Sequence, residues 1–194
     1  MSGGTGTPKN ANRVGARSMV STRAPTLLAF FGVPVPPDMQ GRPLGATLAD
    51  GRPVREAALS GPFGAQVHVT DGRYVYMRGP SSAENDPLIE HTLMLTHMRS
   101  LFEPEELCGA ELAPPFASTK GVPLLRIPAR TPANRDIALT LLDTLLHDLE
   151  VDPAQEHPLD DPTVEARMVA HLVRLMRKSD APPEQYARLG LTGE

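Results

Sequence analysis

Two polar segments lie in irregular, proline-rich parts of the chain, where a side chain is free to face a cleft because no helix or strand fixes it. They are Thr96-His97-Met98-Arg99 and Ser118-Thr119-Lys120-Gly121. A histidine in such a loop can donate a proton or a hydrogen bond, and a lysine can place a point charge beside an anion. Only three of the 19 Lys and Arg residues are lysines. We therefore take His97 and Lys120 as candidate site residues, the alternative being that both belong to solvated surface loops.

The remaining acidic and histidine motifs are explained better by structure than by chemistry. Asp160-Asp161 is an adjacent acidic pair, but it precedes Pro162 and an apolar helix, which favours a helix cap over a metal ligand. The six histidines include no His-x-His or His-Glu-x-x-His arrangement. His91 and His97 would share a strand face, yet two histidines alone do not favour a zinc site. We expect no metal and no cofactor to be held by this chain.

Composition excludes several classes of protein. A net charge of -4 argues against a nucleic-acid partner, because such binders usually carry a basic face. No stretch approaches the ~18 apolar residues of a membrane span, so we expect no membrane partner. The N-terminus lacks the apolar core of a secretory signal. The single cysteine, Cys108, excludes an internal disulfide. We therefore expect a cytoplasmic protein in a reducing compartment.

Local patterns predict short elements joined by long irregular connections, because the 21 prolines interrupt helices and central strands. Residues 1–23 are rich in Gly, Ser, Thr and Asn without periodicity, which predicts a disordered tail. Residues 24–32 are typical of a short helix, with Pro25 in its first turn and Gly32 at its end. Residues 34–53 contain five prolines and predict no regular element.

The clearest local signal is a β-hairpin. Residues 65–70 and 73–78 alternate apolar and polar side chains, and they flank Asp71-Gly72. This dipeptide favours a tight turn with positive φ. The pattern predicts two paired strands with Asp71-Gly72 as the central pair of the turn.

The middle of the chain is less regular. Leu124-Leu125-Arg126-Ile127 predicts a brief strand, and Pro104-Glu105-Glu106-Leu107 predicts a short helix with Pro and acids in its first turn. Residues 134–149 allow two interpretations. Their leucines lie at helical spacing, whereas the run 145–149 is equally typical of a strand that ends at Asp152-Pro153.

Two helices are predicted near the C-terminus. In the first, Asp161 is suited to the cap and Pro162 to the first position. An apolar stripe along one face of this helix is formed by Val164, Met168, Leu172 and Leu175. The second begins at Pro182-Pro183, runs through Tyr186 and Leu189, and is ended by Gly190.

Three separated stretches, in order and at matching spacing, resemble the C-terminal region of sulfatases in the alkaline-phosphatase-like superfamily. The hairpin Asp71-Gly72-Arg73-Tyr74-Val75-Tyr76 is similar to the family's D-G-R-Y-K-Y strand pair. Residues 146–155, LHDLEVDPAQ, are similar to its L-Y-D-L-x-x-D-P-x-E signature. The first stretch, which resembles the segment after the last active-site loop, consists of Ala24-Pro25-Thr26-Leu27-Leu28, Gly32-Val33-Pro34-Val35-Pro36 and Gln40-Gly41-Arg42-Pro43-Leu44.

The resemblance implies an architecture. Residues 24–56 would correspond to the end of the catalytic domain and its linker, and residues 57–194 to the C-terminal subdomain. The expected fold is α+β, with one small antiparallel sheet covered by the C-terminal helix and long Pro-rich connections. The family places its L-Y-D-L stretch in a strand, so we predict a strand over residues 144–149.

Departures from the family bear on activity. The Asp and Ile that precede Ala-Pro-Thr in the family are replaced by Thr22 and Arg23, and the resemblance stops there. A full sulfatase carries a Cys/Ser-x-Pro-x-Arg nucleophile motif and the Asp and Asn ligands of a divalent metal such as calcium. Cys108 is followed by Gly-Ala-Glu and does not match that motif. The chain as printed is therefore expected to be catalytically incomplete, because sulfate transfer needs both parts.

The resemblance leaves three functional hypotheses. The chain is a truncated sulfatase whose parent hydrolyses a sulfate ester, a non-catalytic interaction module, or a subunit that complements a separate catalytic chain. In the first and third cases His97 and Lys120 would lie at the rim of the active site, where they would contact the sulfate or its leaving oxygen. The expected partner is a sulfatase catalytic domain, or a second copy bound through an exposed apolar face.

Overall fold

The structure is a computed structural model that describes residues 22–97, 100–129 and 142–191. The predicted tail lies outside the described residues except for positions 22 and 23. Residues 134–141 of the ambiguous segment, and Met98 and Arg99 of the first candidate loop, also lie outside them. Within the described residues, helices and two small antiparallel sheets confirm the predicted α+β class.

The larger sheet contains the predicted hairpin. It consists of β1 (Ala58–Ser60), β2 (Val67–Thr70), β3 (Tyr74–Arg78) and β7 (Leu145–Asp148), which are adjacent in that order and antiparallel. The last strand confirms the strand interpretation for residues 145–148. It returns from about 70 residues further along the chain to pair with β3, which places Asp148 opposite Tyr74.

The hairpin turn is shifted by one residue from its predicted position. Thr70 pairs with Val75, so Gly72-Arg73 is the central pair of the turn and Asp71 is its first residue. Gly72 has a φ of 99°, which a side chain at this position would disfavour. Asp71 occupies the first position because its carboxylate accepts hydrogen bonds from the backbone N–H groups of Arg73 and Tyr74.

The prediction of one sheet was wrong, because a second, three-stranded sheet follows the first. Its strands are β4 (Ile89–Thr92), β6 (Leu124–Pro128) and β5 (Glu111–Ala113), with β6 in the centre. The predicted strand at residues 124–127 is confirmed as β6. Its neighbours are only three and four residues long, and such short segments carry too little alternation to be recognised from sequence.

Two helices lie at the N-terminal end of the described chain. The predicted helix at residues 24–32 is confirmed as α1 (Arg23–Phe30), and Gly32 follows it with a φ of 69°. The predicted irregular segment 34–53 contains a further helix, α2 (Gly45–Asp50). The hydroxyl of Thr26 accepts a hydrogen bond from the backbone N–H of Leu44, which joins the two helices.

The short helix predicted at residues 104–107 is absent from the described chain. That segment forms consecutive turns instead, each closed by a hydrogen bond to the carbonyl three residues earlier. The pattern that suggested a helix start was correct about the turn propensity of Pro and Glu. It was wrong that the first turn continues into a helix, because no apolar stripe follows that would pack such a helix against the protein.

The C-terminal helices are confirmed as α3 (Pro162–Lys178) and α4 (Pro183–Arg188). Asp161 caps α3, since its carboxylate accepts hydrogen bonds from the N–H groups of Thr163 and Val164. The apolar stripe of α3 packs on the larger sheet, and its fully buried members are Met168, Leu172 and Met176. The predicted members Val164 and Leu175 are only partly buried at the edge of this core.

A buried arginine anchors α4. Arg188 is 1% exposed and donates hydrogen bonds to Gln185 Oε1, Asn85 Oδ1 and the carbonyl of Ala65. These acceptors are neutral, and burial lowers the pKa of Arg188 from its ordinary value. The contacts fix α4 against the loops around both sheets, and they thereby set the position of Glu184 in its first turn.

Candidate functional site

Arg73, Asp148 and Glu150 contact one another at the end of the hairpin. Arg73 donates to both carboxylate oxygens of Asp148, at Nε–Oδ1 3.1 Å, Nε–Oδ2 3.0 Å and Nη2–Oδ2 2.7 Å. Glu150 lies 3.4 Å from Arg73 Nη1. The hydrogen bonds from Arg73 lower the pKa of Asp148 below its ordinary value and raise that of Arg73. This ion pair ties β3 to the end of β7, which is a structural role.

His97 lies between two carboxylates and an aromatic ring. Its Nε2 is 3.1 Å from Glu106 Oε1, and its Nδ1 is 4.0 Å from Glu90 Oε2. Its ring centroid is 4.0 Å from that of Phe102. Burial is the main cause of a raised pKa at Glu90, opposed by the nearby His97. This arrangement is suited to holding a cation or a proton, and it disfavours an anion.

Lys120 is in a different environment. It follows a 3-10 turn at residues 117–119 and has a φ of 52°. Its ammonium group is 2.6 Å from Asp38 Oδ2, and both side chains are largely exposed. This contact raises the pKa of Lys120 and lowers that of Asp38. His97 and Lys120 thus have separate partners, and nothing in the described contacts joins them into one site.

The other residue types considered for chemistry do not form a site. Asp161 is engaged as the α3 cap, in agreement with the sequence. Cys108 is exposed, and its thiol contacts the carbonyl of Pro104. Across residues 22–97, 100–129 and 142–191, no group of three or more His, Cys, Asp or Glu side chains is arranged to hold a metal ion. No helix among those residues is long and apolar enough to cross a membrane.

A cleft of about 360 Å³ lies between the smaller sheet and the loop that joins α3 to α4. One wall is the segment Ala113-Pro114-Pro115-Phe116, which follows β5. The opposite wall is the segment 180–183, which ends in Pro182-Pro183. The backbone N–H of Ala117 donates to Asp180 Oδ2 at 2.9 Å, which fixes the two walls relative to each other.

The polar residues at the floor of the cleft are His91, Arg126 and Glu184, and the register of the smaller sheet aligns the first two and places Glu111 beside them, outside the lining. Arg126 on the central strand pairs with His91 on β4 and with Glu111 on β5. Glu184 approaches this row from α4, with Oε1 3.2 Å from Arg126 Nε and 3.6 Å from His91 Nε2. Glu111 lies 3.9 Å from Arg126 Nη1. The cleft therefore brings together residues from four separate elements.

The surroundings of His91 lower its pKa. Burial lowers the pKa of His91 below 6.5, Glu184 acts in the opposite direction, and Arg126 lowers it further. The ring of Phe116 lies against it, with centroids 5.2 Å apart. The lowered pKa favours the neutral imidazole of His91, which offers one donor and one acceptor.

Sequence reasoning did not find this cleft. It considered His91 only as a metal ligand, and it did not single out Arg126, Phe116 or Glu184. The available signal was the pair of dipeptides Pro114-Pro115 and Pro182-Pro183, which mark two stiff segments. The register that aligns these residues pairs Arg126 with Glu111, 15 residues earlier, and with His91, 35 residues earlier, and no local pattern encodes it.

Comparison with protein-family models and with curated proteins finds no match to this chain.

Proposed function

We propose that this chain is the C-terminal portion of a sulfatase-like hydrolase and that it is catalytically incomplete by itself. The observation that supports this most is the contact between the resembling stretches. The D-G-R-Y hairpin and the L-H-D-L strand are adjacent in the sheet and are tied by the Arg73–Asp148 ion pair. Within the first stretch, residues 24–44, the backbone N–H of Leu44 donates a hydrogen bond to the hydroxyl of Thr26, which joins its two ends.

The missing chemistry lies outside these contacts. The chain contains no Cys/Ser-x-Pro-x-Arg sequence, and its described acidic residues form no cation cluster. The divalent metal of the family does not fit the residues described, so we assign it to a catalytic partner and derive no step through it. The chain's contribution would be to complete the substrate rim and to stabilise the partner's fold.

Lys120 is better suited than His97 to the rim of such an active site. An exposed ion pair contributes little free energy, so Lys120 can exchange Asp38 for a sulfate at low cost. The two carboxylates beside His97 would repel the same anion. We therefore propose Lys120 as the residue that contacts the ester, and we assign His97 to packing on Phe102.

The face that would contact a catalytic domain is the exposed side of α1. Leu27, Phe30 and Phe31 are 57%, 80% and 72% exposed, and the rings of Phe30 and Phe31 contact each other edge to face. Such a group on a helix marks a surface suited to another protein. The same observation favours the second candidate function, a non-catalytic interaction module that binds a protein through α1.

The coding DNA upstream of this chain separates the two functions. We expect it to encode a Cys/Ser-x-Pro-x-Arg sequence and an Asp-Asp pair. When the upstream product is co-expressed with this chain, the two should co-purify. The complex should hydrolyse 4-nitrophenyl sulfate faster than the upstream product does alone. Replacing Phe30 and Phe31 by Ser should weaken co-purification, whereas replacing the exposed Leu112 by Ser should not. An upstream region without these motifs would contradict the proposal and favour the interaction module.

A further inference from the structure

The cleft beside β5 has the build of a small-molecule site that is independent of the proposed sulfatase role. Its volume of about 360 Å³ lies within the range of ligand pockets. Four prolines stand in its walls, and their fixed φ angles make those walls stiff. A stiff wall reduces the entropy lost when a ligand binds, because little chain has to be ordered.

The walls select an apolar body. Pro114, Pro115 and Phe116 line one side, and Ala181, Pro182 and Pro183 line the other. The Phe116 side chain is partly exposed, so its ring is available to contact a ligand. A flat or compact hydrocarbon group between these walls would be removed from water on both sides.

The charged side chains around the cleft determine whether a cationic or an anionic ligand is favoured. Glu184 and Asp180 place two carboxylates in the lining of the cleft, against the single guanidinium of Arg126, and the exposed Glu111 lies outside the lining, 3.9 Å from Arg126. Arg126 is already bound by Glu184, and burial, which lowers the pKa of His91, disfavours a charge on that ring. The excess of carboxylates attracts a cation and repels an anion, and the apolar walls reduce the screening by water.

Glu184 is the residue best placed to receive that cation. Its side chain is only 16% exposed, and its contacts with Arg126 and His91 both use Oε1. A carboxylate accepts on both oxygens, so Oε2 can accept from an ammonium group. The nearby aromatic face of Phe116 adds a favourable contact for the same cation.

We propose that this cleft binds a small organic ammonium ion whose charged group contacts Glu184 and whose apolar body lies between the segment Pro114-Pro115-Phe116 and the segment Ala181-Pro182-Pro183.

Three probes with closely related bodies test the proposal: 2-phenylethylammonium chloride, 2-phenylethanol and sodium phenylacetate. Each is titrated at pH 7 and low salt into the full chain, with binding followed by NMR chemical shifts or calorimetry. The ammonium should bind in the millimolar range, at least about tenfold tighter than the alcohol, and the carboxylate should not bind. Resonances of Phe116 and Ala181 should shift with the ammonium.

Two variants in the cleft, Glu184→Gln and Ala113→Leu, locate the site, and Glu105→Gln is the control. Glu184→Gln should weaken ammonium binding about tenfold or more, and Glu105→Gln, at an exposed acid away from the cleft, should leave it unchanged. Ala113→Leu keeps every charge and fills the cleft, so it should also weaken binding even if Glu184→Gln proves unstable. Three results would each overturn the proposal: no binding of the ammonium, binding of phenylacetate at equal strength, or ammonium binding that neither Glu184→Gln nor Ala113→Leu weakens.

Discussion

Removing the side chain of Leu172 tests whether α3 packs on the larger sheet as described. Leu172 is 0% exposed and lies in the core cluster with Val69, Tyr76 and Leu146. Leu→Ala at a buried site costs about 2–5 kcal/mol, and the cost is larger where the surroundings cannot collapse. Leu172 faces hydrogen-bonded strands rather than a loop, so we expect the upper half of that range, about 3–5 kcal/mol.

The measurement is the free energy of unfolding from urea denaturation, followed by circular dichroism. The matched control is Leu112→Ala, which removes the same atoms from a side chain that is 77% exposed on β5. This control should change the free energy of unfolding by less than about 0.5 kcal/mol. If Leu172→Ala lowers the free energy of unfolding by no more than the control does, α3 does not pack on the larger sheet as described. The placement of β3 and β7 beneath that helix would then also be wrong.

Three further predictions follow from named contacts. Asp161→Ala should lower the free energy of unfolding by about 1 kcal/mol, because two N–H groups of α3 lose their acceptor; Asp160→Ala, its neighbour, should have a smaller effect in the same urea assay. Arg73 lowers the folded-state pKa of Asp148 below 3.8, so the stability from this pair is present above about pH 4 and lost as pH falls through the folded pKa. Asp148→Asn should therefore lower stability at pH 7 and reduce its loss below pH 4, and an unchanged acid limb would contradict this reasoning. Replacing Phe30 and Phe31 by Ser should reduce both the binding of a hydrophobic dye and self-association in sedimentation, since these rings are the exposed apolar surface of α1.

The sequence predicted those helices and strands whose patterns, such as alternation or a capping residue, lie within a few consecutive residues. The alternation on either side of Asp71-Gly72 predicted the hairpin, and Asp161-Pro162 predicted the start of α3. The turn register was wrong by one residue because the carboxylate of Asp71 competes for the N–H groups of Arg73 and Tyr74. Such side-chain competition is not visible in an alternation pattern.

Features that depend on distant pairing were not predicted. The smaller sheet was missed because β5 has three residues and β4 has four, which is too short for a periodic signal. The cleft was missed for the same reason, since its floor exists only when β4, β6 and β5 are in register and α4 supplies Glu184. His97 and Lys120 were selected as loop residues free to act, yet each is held by a carboxylate that lies elsewhere in the sequence.

The proposal that this chain is a sulfatase-like portion that is catalytically incomplete by itself is tested most directly by a turnover assay combined with examination of Cys108. The purified chain is incubated with 4-nitrophenyl sulfate, with and without calcium or magnesium, and Cys108 is examined by mass spectrometry. We expect an unmodified cysteine and no turnover above the uncatalysed rate, because loss of the nucleophile removes many orders of magnitude in rate. Formylglycine at position 108, or metal-dependent hydrolysis that Cys108→Ala abolishes, would contradict the account.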